Sequence, residues 1–510
     1  MLNQFRRDAL SRVATVTYRN STGTIAITKN KIANHKSMKQ QVHWISFLII
    51  CGLVVSGTAS AQTLLGEEPA LGGPESRITQ AEIASGGLSL IDIRLSGLKM
   101  FATQVRKADG FGEALDPANT TDPGGRPTLQ GNGTFLRVNG LDAQSCLDCH
   151  AVLSNDAVPF VSGVGGAGGI NNSAMFMTRA IDVADVAGNG FAGFDGRLIN
   201  PPALFGTGGV QLVAKEMTAT LQRLKEEAVE DPGKRIKLRV KGVDFGSIRA
   251  NRDGTLDTRD IKGVDNDLVI RPFGRKGEFT SVREFDVGAL MFHFGLQPVE
   301  AVGEGVDADG DQVVNEVTIG EVSALEIFVT TQETPRQLAM ESTEKAGSRA
   351  FRRVGCTTCH RPVLTSDSAV LRYSYPEVAD DPLQNVFFSV DLADDPSAFE
   401  RTETGGLIVP LFSDLKRHDM GDELAETFHG ASDRQNREFI TAKLWGVADT
   451  SPYLHDGRAL TLNEAILMHG GEARAARAAY EALDNGQKNQ LLAFLRTLRN
   501  PVAPNSDVLD

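Results

Sequence analysis

Residues 145–150 read SCLDCH and residues 355–360 read GCTTCH, and these two stretches decide the fold prediction. In each stretch two cysteines lie three positions apart, and a histidine follows at once. Positions i, i+3 and i+4 of a helical turn share one face, so both sulfurs can bond one porphyrin while the imidazole meets its iron. We therefore predict two covalently bound haem c groups. The predicted attachment residues are Cys146, Cys149, Cys356 and Cys359, and the predicted proximal iron ligands are His150 and His360.

The other common uses of paired cysteines fit these stretches less well. A zinc site needs four ligands at one centre, and a redox-active CxxC pair is expected in a thioredoxin-like βαβ context. The chain has five cysteines, and the fifth, Cys51, lies in an N-terminal apolar run. Haem attachment therefore accounts for every cysteine beyond that run.

The N-terminal apolar run, residues 43–62, reads HWISFLIICGLVVSGTASAQ. It ends on Ala59-Ser60-Ala61, the small-x-small pattern of a signal peptidase site. A membrane anchor is the alternative, but the apolar core is shorter than the about 20 residues that a span needs. We predict that residues 1–61 are a signal peptide with an N-terminal extension, that Met38 is the true start, and that the protein is periplasmic without stable membrane insertion.

The composition indicates a folded, acidic protein. Of 510 residues, 41% are apolar and 23% are charged, which excludes a disordered or collagen-like chain. Aromatic residues are sparse at 6%, and two buried porphyrins would supply apolar surface in their place. Residues 1–61 hold eight basic residues and one acid, so their removal leaves 44 basic and 64 acidic residues and changes the formal charge from −13 to −20. This charge argues against nucleic acid as a partner.

Five histidines remain as candidates for the other side of the irons: His293, His418, His429, His455 and His469. Thr461 and Glu464 form a capping-box pattern before an apolar segment, which predicts a helix of about two turns that ends near His469. A second helix with one buried face is predicted over residues 491–498. The C-terminal part therefore has the closing helices expected of a c-type haem domain.

Residues 451–466, SPYLHDGRALTLNEAI, resemble the PYxHDG…TLEEA segment of the bacterial di-haem cytochrome c peroxidases and the MauG-type enzymes. In that family an iron ligand lies fourteen residues after the HDG histidine, which implies His469 as distal ligand of the second haem. The HDG histidine, here His455, lies in the haem pocket of that family. Residues 412–426, FSDLKRHDMGDELAE, and 469–473, HGGEA, resemble more closely the di-haem oxidoreductase branch named for thiol oxidation. We predict a mainly α fold of two cytochrome c-like haem domains with long loops.

A fainter counterpart of this segment lies in the first half of the chain. Residues 201–208, PPALFGTG, echo TAKLWGVA at 441–448, and residues 285–295, FDVGALMFHFG, echo the HDGRAL…LMHGG pattern. We predict a pseudo-duplication with one haem per unit. The predicted haem domains are residues 62–300 and 336–510, joined by an acidic segment at 301–335.

In this register His293 takes the place of His469 and is the predicted distal ligand of the first haem. Alternatives stay open at both irons. A histidine packed under a loop and an open sixth position are the alternatives for His293, and the rival ligands are Met175, Met177 and Met217 for the first haem and Met420 for the second.

Glu300 and Gln297, in residues 294–300, match loosely the acid beside the reactive haem of the peroxidases. There a carboxylate can act as general acid and base on bound peroxide. With His455 they are the predicted catalytic residues. The alternative for Glu300 and Gln297 is an exposed loop, and the alternative for His455 is a hydrogen bond with Asp456 at the entry of a helix. Those enzymes carry a tryptophan between their haems, whereas the only one after residue 61 here is Trp445, so that electron route is not transferred.

An acidic loop at residues 306–321 reads VDADGDQVVNEVTIGE. Asp307, Asp309 and Asp311 alternate as the oxygen ligands of a calcium loop do. The twelfth position is Thr318, not the glutamate of an EF-hand, and Glu316 could close the site instead. We predict a calcium site, with an acidic solvated turn as the alternative. Three further stretches are predicted as loops, 163–169 close to a porphyrin and 116–133 and 380–406 at the surface.

Two functions follow from these predictions. The first is an oxidoreductase in which one haem relays electrons and the other reacts with peroxide or an oxidisable substrate. The alternative is a non-catalytic electron carrier, which histidine ligation on both sides of both irons would favour. A haem-based sensor ranks last because no output domain is visible. The predicted partners are a small redox protein or a quinol-linked electron donor or acceptor.

Overall fold

A computed structural model of the protein describes residues 68–112, 143–152, 175–182, 193–426 and 432–509, and helices alternate with short strands along these residues. All of these residues lie in one compact unit, Leu65–Asp510. The predicted signal peptide, the loops at 116–133 and 163–169, and His429 lie outside the described residues. Over the described ranges, no helix combines the length and the apolar content needed to cross a membrane.

Most helices begin at a capping residue that the sequence supplies. Thr79, Ser89, Thr318, Thr461 and Asp484 each accept a hydrogen bond from the backbone N–H three positions on, which satisfies a donor that the first turn leaves unpaired. The α-helices are α1 Gln80–Ala84, α2 Leu90–Ala102, α3 Thr207–Glu230, α4 Val282–Ala289, α5 Val299–Val302, α6 Ile319–Thr330, α7 Ser342–Arg353, α8 Asp433–Arg437, α9 Leu462–Leu467, α10 Arg474–Glu481, α11 Asn485–Leu495 and α12 Ser506–Leu509.

The strands form antiparallel pairs and one three-stranded sheet. In chain order they are β1 Met175–Asp182, β2 Gly193–Ile199, β3 Ile236–Val240, β4 Val243–Ala250, β5 Leu256–Asp257, β6 Arg336–Gln337, β7 Leu364–Thr365, β8 Val370–Ser374, β9 Val386–Asp391, β10 Ile408–Val409, β11 Arg417–Asp419, β12 Glu438–Ile440 and β13 Leu498–Arg499. The three-stranded sheet has the order β3-β4-β5, and the pairs are β1 with β2, β6 with β13, β7 with β10, β8 with β9, and β11 with β12.

The fold is therefore mixed, and the prediction of a mainly α protein is correct only in part. The clearest difference lies at residues 380–406, which were expected to form a surface loop. This range contains β9, which pairs with β8 in the register Leu371 to Val390. The pairing buries Leu371 and Tyr373, and Leu392, which follows β9, is buried as well. Turn-forming residues surround these strands, and their composition hid the buried positions.

The buried apolar side chains form two clusters. The larger one contains residues of α2, α3 and α6, of the three-stranded sheet and of the β7–β10 and β8–β9 pairs, and it includes residues from Leu364 to Trp445. The smaller one is built by α7 and α11 around Phe351 and Phe494. Residues 336–510, predicted as one haem domain, thus contribute to both clusters. The predicted domain boundaries stay a prediction.

Two helix crossings are close enough to require glycine. A Cβ on Gly97 of α2 would lie 2.2 Å from the Ala324 carbonyl oxygen of α6, and one on Gly347 of α7 would lie 1.9 Å from the Gln490 carbonyl oxygen of α11. Each crossing brings two backbones together where any side chain would collide. α7 ends directly before the second CxxCH stretch, so its crossing with α11 fixes that stretch against the smaller cluster.

Candidate functional site

The second CxxCH stretch forms a tight turn directly after α7. Gly355, in the left-handed region at φ 95°, is followed by a 3-10 turn at Cys356–Thr358. The His360 N–H donates to the Cys356 carbonyl at 2.9 Å. The turn thus gathers both cysteines and the imidazole, as the spacing predicts.

The imidazoles of His360 and His469 face each other. Their ring centres are 6.3 Å apart and their planes are inclined by 55°. A metal ion held between two imidazoles needs about 6 Å between ring centres, from two metal–nitrogen bonds of about 2 Å and about 1 Å from each nitrogen to its ring centre. The pair is therefore spaced to hold one metal ion. As predicted, α9 begins at the capping box of Thr461 and Glu464, and His469 follows its end.

Both rings are oriented by backbone carbonyls. His360 Nδ1 lies 3.1 Å from the Phe412 carbonyl oxygen, and His469 Nδ1 lies 2.8 Å from that of Ala465. A ring nitrogen that faces a carbonyl carries the proton, which leaves the lone pair on Nε2. Burial, together with the neighbouring His469, lowers the pKa of His360 to about 4, and burial also lowers the pKa of His469. Both rings are therefore neutral at neutral pH, as metal ligation requires.

His418 is held in a different way. Its Nε2 lies 2.9 Å from an Asp414 carboxylate oxygen, and its Nδ1 lies 2.7 Å from Glu472. Although burial lowers the pKa of His418, the hydrogen bond and charge of Asp414 and the nearby Cys359 raise it to about 11. An imidazolium between two carboxylates has no lone pair to offer iron. The ring lies beside the Cys359 sulfur instead, at the attachment side of the second haem.

The first CxxCH stretch repeats the local geometry of the second. Cys146–Asp148 form a 3-10 turn, and the His150 N–H donates to the Cys146 carbonyl at 2.9 Å. His150 Nδ1 lies 3.0 Å from the Pro202 carbonyl oxygen. The chain distance from the histidine to this carbonyl is 52 residues, as it is from His360 to Phe412. Among the described residues, the four cysteines of the two stretches form no disulfide.

His293 lies near His150, in a π-helical turn at Leu290–Phe294. Burial, opposed by the Pro202 carbonyl and assisted by the nearby His293, lowers the pKa of His150 to about 4. A π-turn inside a helix shifts the side chains that follow it, and such turns are frequent at functional sites. The structure therefore brings His293 to the first haem stretch.

The predicted methionine rivals of His293 separate into two groups. Met217 of α3 is fully buried in the larger apolar cluster. Met175 and Met177 lie in β1, whose side chains the structure does not describe. Met420, the rival at the second iron, directly follows β11, and its N–H donates to the Arg437 carbonyl at 2.9 Å.

Trp445 lies close to the two segments whose carbonyls face His150 and His360, which contain Pro202 and Phe412. A Cβ on Gly206, four residues after Pro202, would lie 2.8 Å from the Trp445 ring. The N–H of the preceding residue, Leu444, donates to the Leu411 carbonyl at 3.1 Å, directly before Phe412. The buried indole thus packs against the segment that follows Pro202, and the residue before the indole is hydrogen-bonded to the segment that precedes Phe412.

Glu300 and Gln297 do not share one pocket. Glu300, in α5, accepts hydrogen bonds from the buried Arg283 guanidinium, one of them at 3.0 Å from Nε. Burial raises the pKa of Glu300, and Arg283 offsets part of that effect. Gln297 instead belongs to the acidic loop, because its N–H donates to Glu316 at 2.7 Å and its Oε1 accepts from the Ala308 N–H at 3.0 Å.

His455 stacks on Phe439, with ring centres 4.5 Å apart. Its Nε2 lies 3.8 Å from Asp456 and 4.0 Å from Glu426. Burial lowers the pKa of His455 to about 4, against the pull of these two carboxylates. Its carbonyl accepts from the N–H of Asn200 at 2.9 Å. The HDG segment therefore contacts the chain two residues before Pro202.

The acidic loop gathers the three predicted aspartates. Carboxylate oxygens of Asp307, Asp309 and Asp311 lie within 4.8 Å of one another. Glu316 is 2% exposed, and within the described part of the chain its Oε1 and Oδ2 of Asp309 have no hydrogen-bond partner. Burial and the neighbouring aspartates raise the pKa of Glu316 to about 9 and that of Asp309 to about 6. Thr318 caps α6, so this position begins the next helix.

Sequence reasoning missed a buried charge cluster near the first haem stretch. Arg283 and Asp286 of α4 and Glu326 of α6 lie with Glu300, and the first three are almost fully buried. Asp286 occurs in the FDVGALMFHFG stretch that was used to place His293, seven positions before it. Residues seven positions apart lie on the same face of a helix, so the position of Asp286 relative to His293 was the signal that could have revealed the cluster.

Comparison with known proteins supports the predicted resemblance. Residues 286–498 match the family model described as "Di-haem oxidoreductase, putative peroxidase". The predicted resemblance to this family is thereby confirmed over that range, which contains the second CxxCH stretch, His455 and His469. At this level of description the match indicates a haem-containing oxidoreductase. None of the curated proteins compared with the chain matches it.

Two solved structures show weak similarity. Hydrazine synthase from Kuenenia stuttgartiensis, pressurised with 20 bar xenon, is 14% identical, covers 76% of this chain and 100% of its own, and gives a TM-score of 0.29. A MauG-like protein associated with microbial copper homeostasis is 16% identical, covers 59% of this chain and 90% of its own, and gives a TM-score of 0.26. At these TM-scores neither similarity assigns a fold or a function.

Proposed function

We propose that the protein is an exported di-haem c-type cytochrome that acts as an oxidoreductase. One haem is attached through Cys146 and Cys149, and the other through Cys356 and Cys359. The observation that carries the proposal is the His360–His469 pair, whose ring centres are 6.3 Å apart beside a CxxCH turn. Both Nδ1 atoms face backbone carbonyls, which leaves the Nε2 lone pair of each ring available to a metal ion.

The first haem takes His150 as proximal and His293 as distal ligand. Two observations support this assignment: His293 lies close enough to lower the pKa of His150, and the two CxxCH stretches have the same local geometry. Each proximal histidine uses a carbonyl 52 residues further along the chain. The glycine crossings of α2 with α6 and of α7 with α11 extend this parallel, and they support the proposed pseudo-duplication with one haem per unit.

When bound, the two haems supply one-electron chemistry, and the residues of the chain direct it. His360 and His469 would both hold the second haem, which would relay electrons. The first haem would supply the chemistry toward peroxide or an oxidisable substrate, and His293 would be the residue that gives way to that substrate. Glu300 is proposed to take up and return the protons of that reaction; burial, which raises its pKa, and the hydrogen bond from Arg283, which orients its carboxylate, support this role.

Gln297 and His455 have supporting roles in this proposal. Gln297 ties the segment after His293 to the acidic loop through its bonds with Glu316 and Ala308. His455 joins the HDG segment to the chain near Pro202, which holds His150. Both therefore connect the surroundings of the two haems.

The acidic loop is proposed to bind calcium through Asp307, Asp309, Asp311 and Glu316. Oxygen ligands in a flexible loop suit this ion. The buried Glu316 Oε1 and Asp309 Oδ2, which lack hydrogen-bond partners among the described residues, support the site because a cation would satisfy both. Calcium would also offset the burial that raises the pKa values of these two acids.

The partners and the location follow from the sequence. A cleaved leader within residues 1–61 places the protein in the periplasm, where haem c is attached after export. The strongly acidic chain favours a small cationic or neutral redox protein, or a quinol-linked carrier, as electron donor or acceptor.

The test combines haem analysis with turnover. Mass spectrometry of the peptides that contain Cys146 and Cys356 should show one haem on each, and the protein reduced by one electron should consume peroxide in the presence of a reduced donor. A chain that carries haem at only one stretch contradicts the di-haem proposal. A di-haem protein that remains low-spin after half-reduction and consumes no peroxide contradicts the enzyme.

The second candidate is a non-catalytic electron carrier. The observation that favours it is the placement of a histidine near the proximal ring of both stretches, His293 as well as His469. Electron paramagnetic resonance separates the two candidates. A high-spin ferric signal from one haem, present at rest or produced on half-reduction, supports the enzyme, whereas two low-spin signals throughout support the carrier.

A further inference from the structure

Four charged side chains on three helices form one buried group, which we call the Arg283 cluster: Arg283, Asp286, Glu300 and Glu326. Arg283 Nε lies 3.0 Å from Glu300, and its Nη1 lies 3.9 Å from Glu326 and 2.8 Å from the Ser323 hydroxyl. Three carboxyl groups thus share one guanidinium. If all three were ionised, the cluster would carry an excess of two negative charges.

The burial of these groups opposes that excess. Asp286 is 8% exposed and Glu326 is 0% exposed. Within the described part of the chain, Oδ2 of Asp286 and Oε2 of Glu326 have no hydrogen-bond partner. Burial and then Glu326 raise the pKa of Asp286 well above its ordinary range, and burial and then the nearby Glu377 raise the pKa of Glu326 to about 7. At least one proton therefore resides in the cluster at neutral pH.

The groups that face Glu326 come from several elements. Gln211 of α3 donates to its Oε1 at 2.9 Å, and Lys215 of the same helix and Arg283 oppose its protonation. Tyr373 of β8 lies close enough for the Glu326 charge to raise the pKa of its phenol. The facing cations do not outweigh burial, so Glu326 titrates near neutrality.

A short route joins the cluster to a surface pocket. Glu377 lines that pocket together with Lys215, which lies 3.1 Å from it. Ser281, the residue before α4, donates its hydroxyl to the other oxygen of Glu377. Gln211 accepts from the N–H of Val282 at 2.8 Å and donates to Glu326. Glu377 therefore lies between the surface pocket and the cluster, close enough for its charge to raise the pKa of Glu326.

The other end of the cluster lies beside the first haem stretch. After burial, the Asp286 carboxylate has the largest effect that raises the pKa of the Cys146 thiol. Cys146 is a proposed haem attachment residue, so a charge on Asp286 acts on the haem that its sulfur carries. An added electron on that haem would favour the neutral form of Asp286, because the negative carboxylate and the added negative charge repel each other strongly in a buried site.

We propose that the Arg283 cluster is a proton-loading site coupled to the first haem. When one electron reaches that haem from a one-electron donor, one carboxylate of the cluster accepts one proton from solvent through Glu377, and the buried region keeps its net charge. The stored proton is then available for the reduction of a bound oxygen substrate, which consumes protons and electrons together. This proposal rests on the proposed haem at Cys146.

The test measures how the midpoint potential of the first haem depends on pH. The full-length di-haem protein is titrated at an electrode while its absorption is recorded, from pH 6 to pH 9. Above about pH 7, where Glu326 has lost its proton in the oxidised protein, uptake of one proton per electron lowers the potential by about 59 mV per tenfold fall in proton concentration. Below that pH the potential should flatten, since the proton is already present.

Asp286→Asn and Glu326→Gln are the test variants, and Glu284→Gln, an exposed position on the same helix, is the matched control. Each test variant should flatten the slope above pH 7, whereas the control should keep it. An unchanged slope in both test variants would overturn the proposal and assign the proton to another group, such as the haem propionates.

A second measurement covers variants that fail to take up haem. An indicator dye in weakly buffered wild-type protein should report uptake of about one proton per electron at the first haem above pH 7. No uptake would overturn the proposal as well. A Cys146 peptide without haem would instead refute the proposed function, so the two failures are distinguishable.

Discussion

Replacement of His469 by alanine should convert one of the two haems from low-spin to high-spin. The ring centres of His360 and His469 are 6.3 Å apart, which matches the about 6 Å that two metal–nitrogen bonds and two ring radii require. Alanine leaves the full width of an imidazole empty on one side of the iron. Water or no ligand then takes that position, and the weaker axial field changes the spin state.

The fold should survive this change. The His469 ring makes one hydrogen bond, to the Ala465 carbonyl at 2.8 Å, and such a bond contributes about 1 kcal/mol. α9 keeps its capping box, which lies at the other end of the helix. A loss of haem signal is therefore not expected, and the effect should be confined to the axial ligand.

Electron paramagnetic resonance and the absorption spectrum of the oxidised protein provide the assay. The high-spin signal should account for one haem per protein, and added imidazole should restore the low-spin spectrum because it fills the vacated site. His418→Gln and Met420→Leu are the controls, and both should stay low-spin. An unchanged spectrum in His469→Ala, or a high-spin signal in either control, would refute the assignment of the second iron.

Three further predictions concern stability. Gly206→Ala should lower the free energy of unfolding by about 2–5 kcal/mol, of which about 1–2 comes from the left-handed backbone and about 1–3 from the collision with Trp445. Gly233→Ala, at a similar φ but in open space, should lose only the backbone contribution, and equal losses in calorimetry would exclude the collision. Calcium at one hundred times its dissociation constant should stabilise the protein by about 2.7 kcal/mol, and Asp309→Asn should remove that stabilisation. The measurement is a thermal melt with calcium and with a chelator, and equal melting temperatures of the wild type in both would show that the loop is only an acidic turn. Although burial lowers the pKa of His418, Asp414 raises it above 6.5 in the folded protein, so the stabilisation by His418 is complete below pH 6.5 and is lost as the pH rises through the raised pKa. The stability difference between wild type and His418→Gln should therefore shrink as the pH rises, and a constant difference would contradict the ion pair with Asp414.

The parts of the site that the sequence predicted are those with local chemistry. The spacing of Cys356, Cys359 and His360 is a property of one helical turn, and the structure shows that turn. The Thr461 and Glu464 capping box is likewise local, and α9 begins there. Such signals need no knowledge of distant residues, because the backbone alone brings their members together.

The strands were missed for the opposite reason. β8 and β9 are hairpin partners in a stretch rich in turn formers and acids, and their register decides which side chains are buried. Composition indicates that such a stretch turns often, but it does not tell which residues pair. The pair of His360 and His469 was predicted from the sequence, whereas the strand pairs were not.

The Arg283 cluster could not be predicted from the sequence. Each member, taken alone, is a charged residue on a helix and indicates a solvated face. Only the packing of α4 against α6 makes Asp286 and Glu326 buried neighbours of one guanidinium. A fold does not gain stability from three buried carboxyl groups that share one cation, because the desolvation of each charge opposes folding. Sites that break the general pattern at such a cost are expected where function requires them. The proximity of this cluster to Cys146, and not any sequence motif, is therefore the strongest reason to connect it with the first haem.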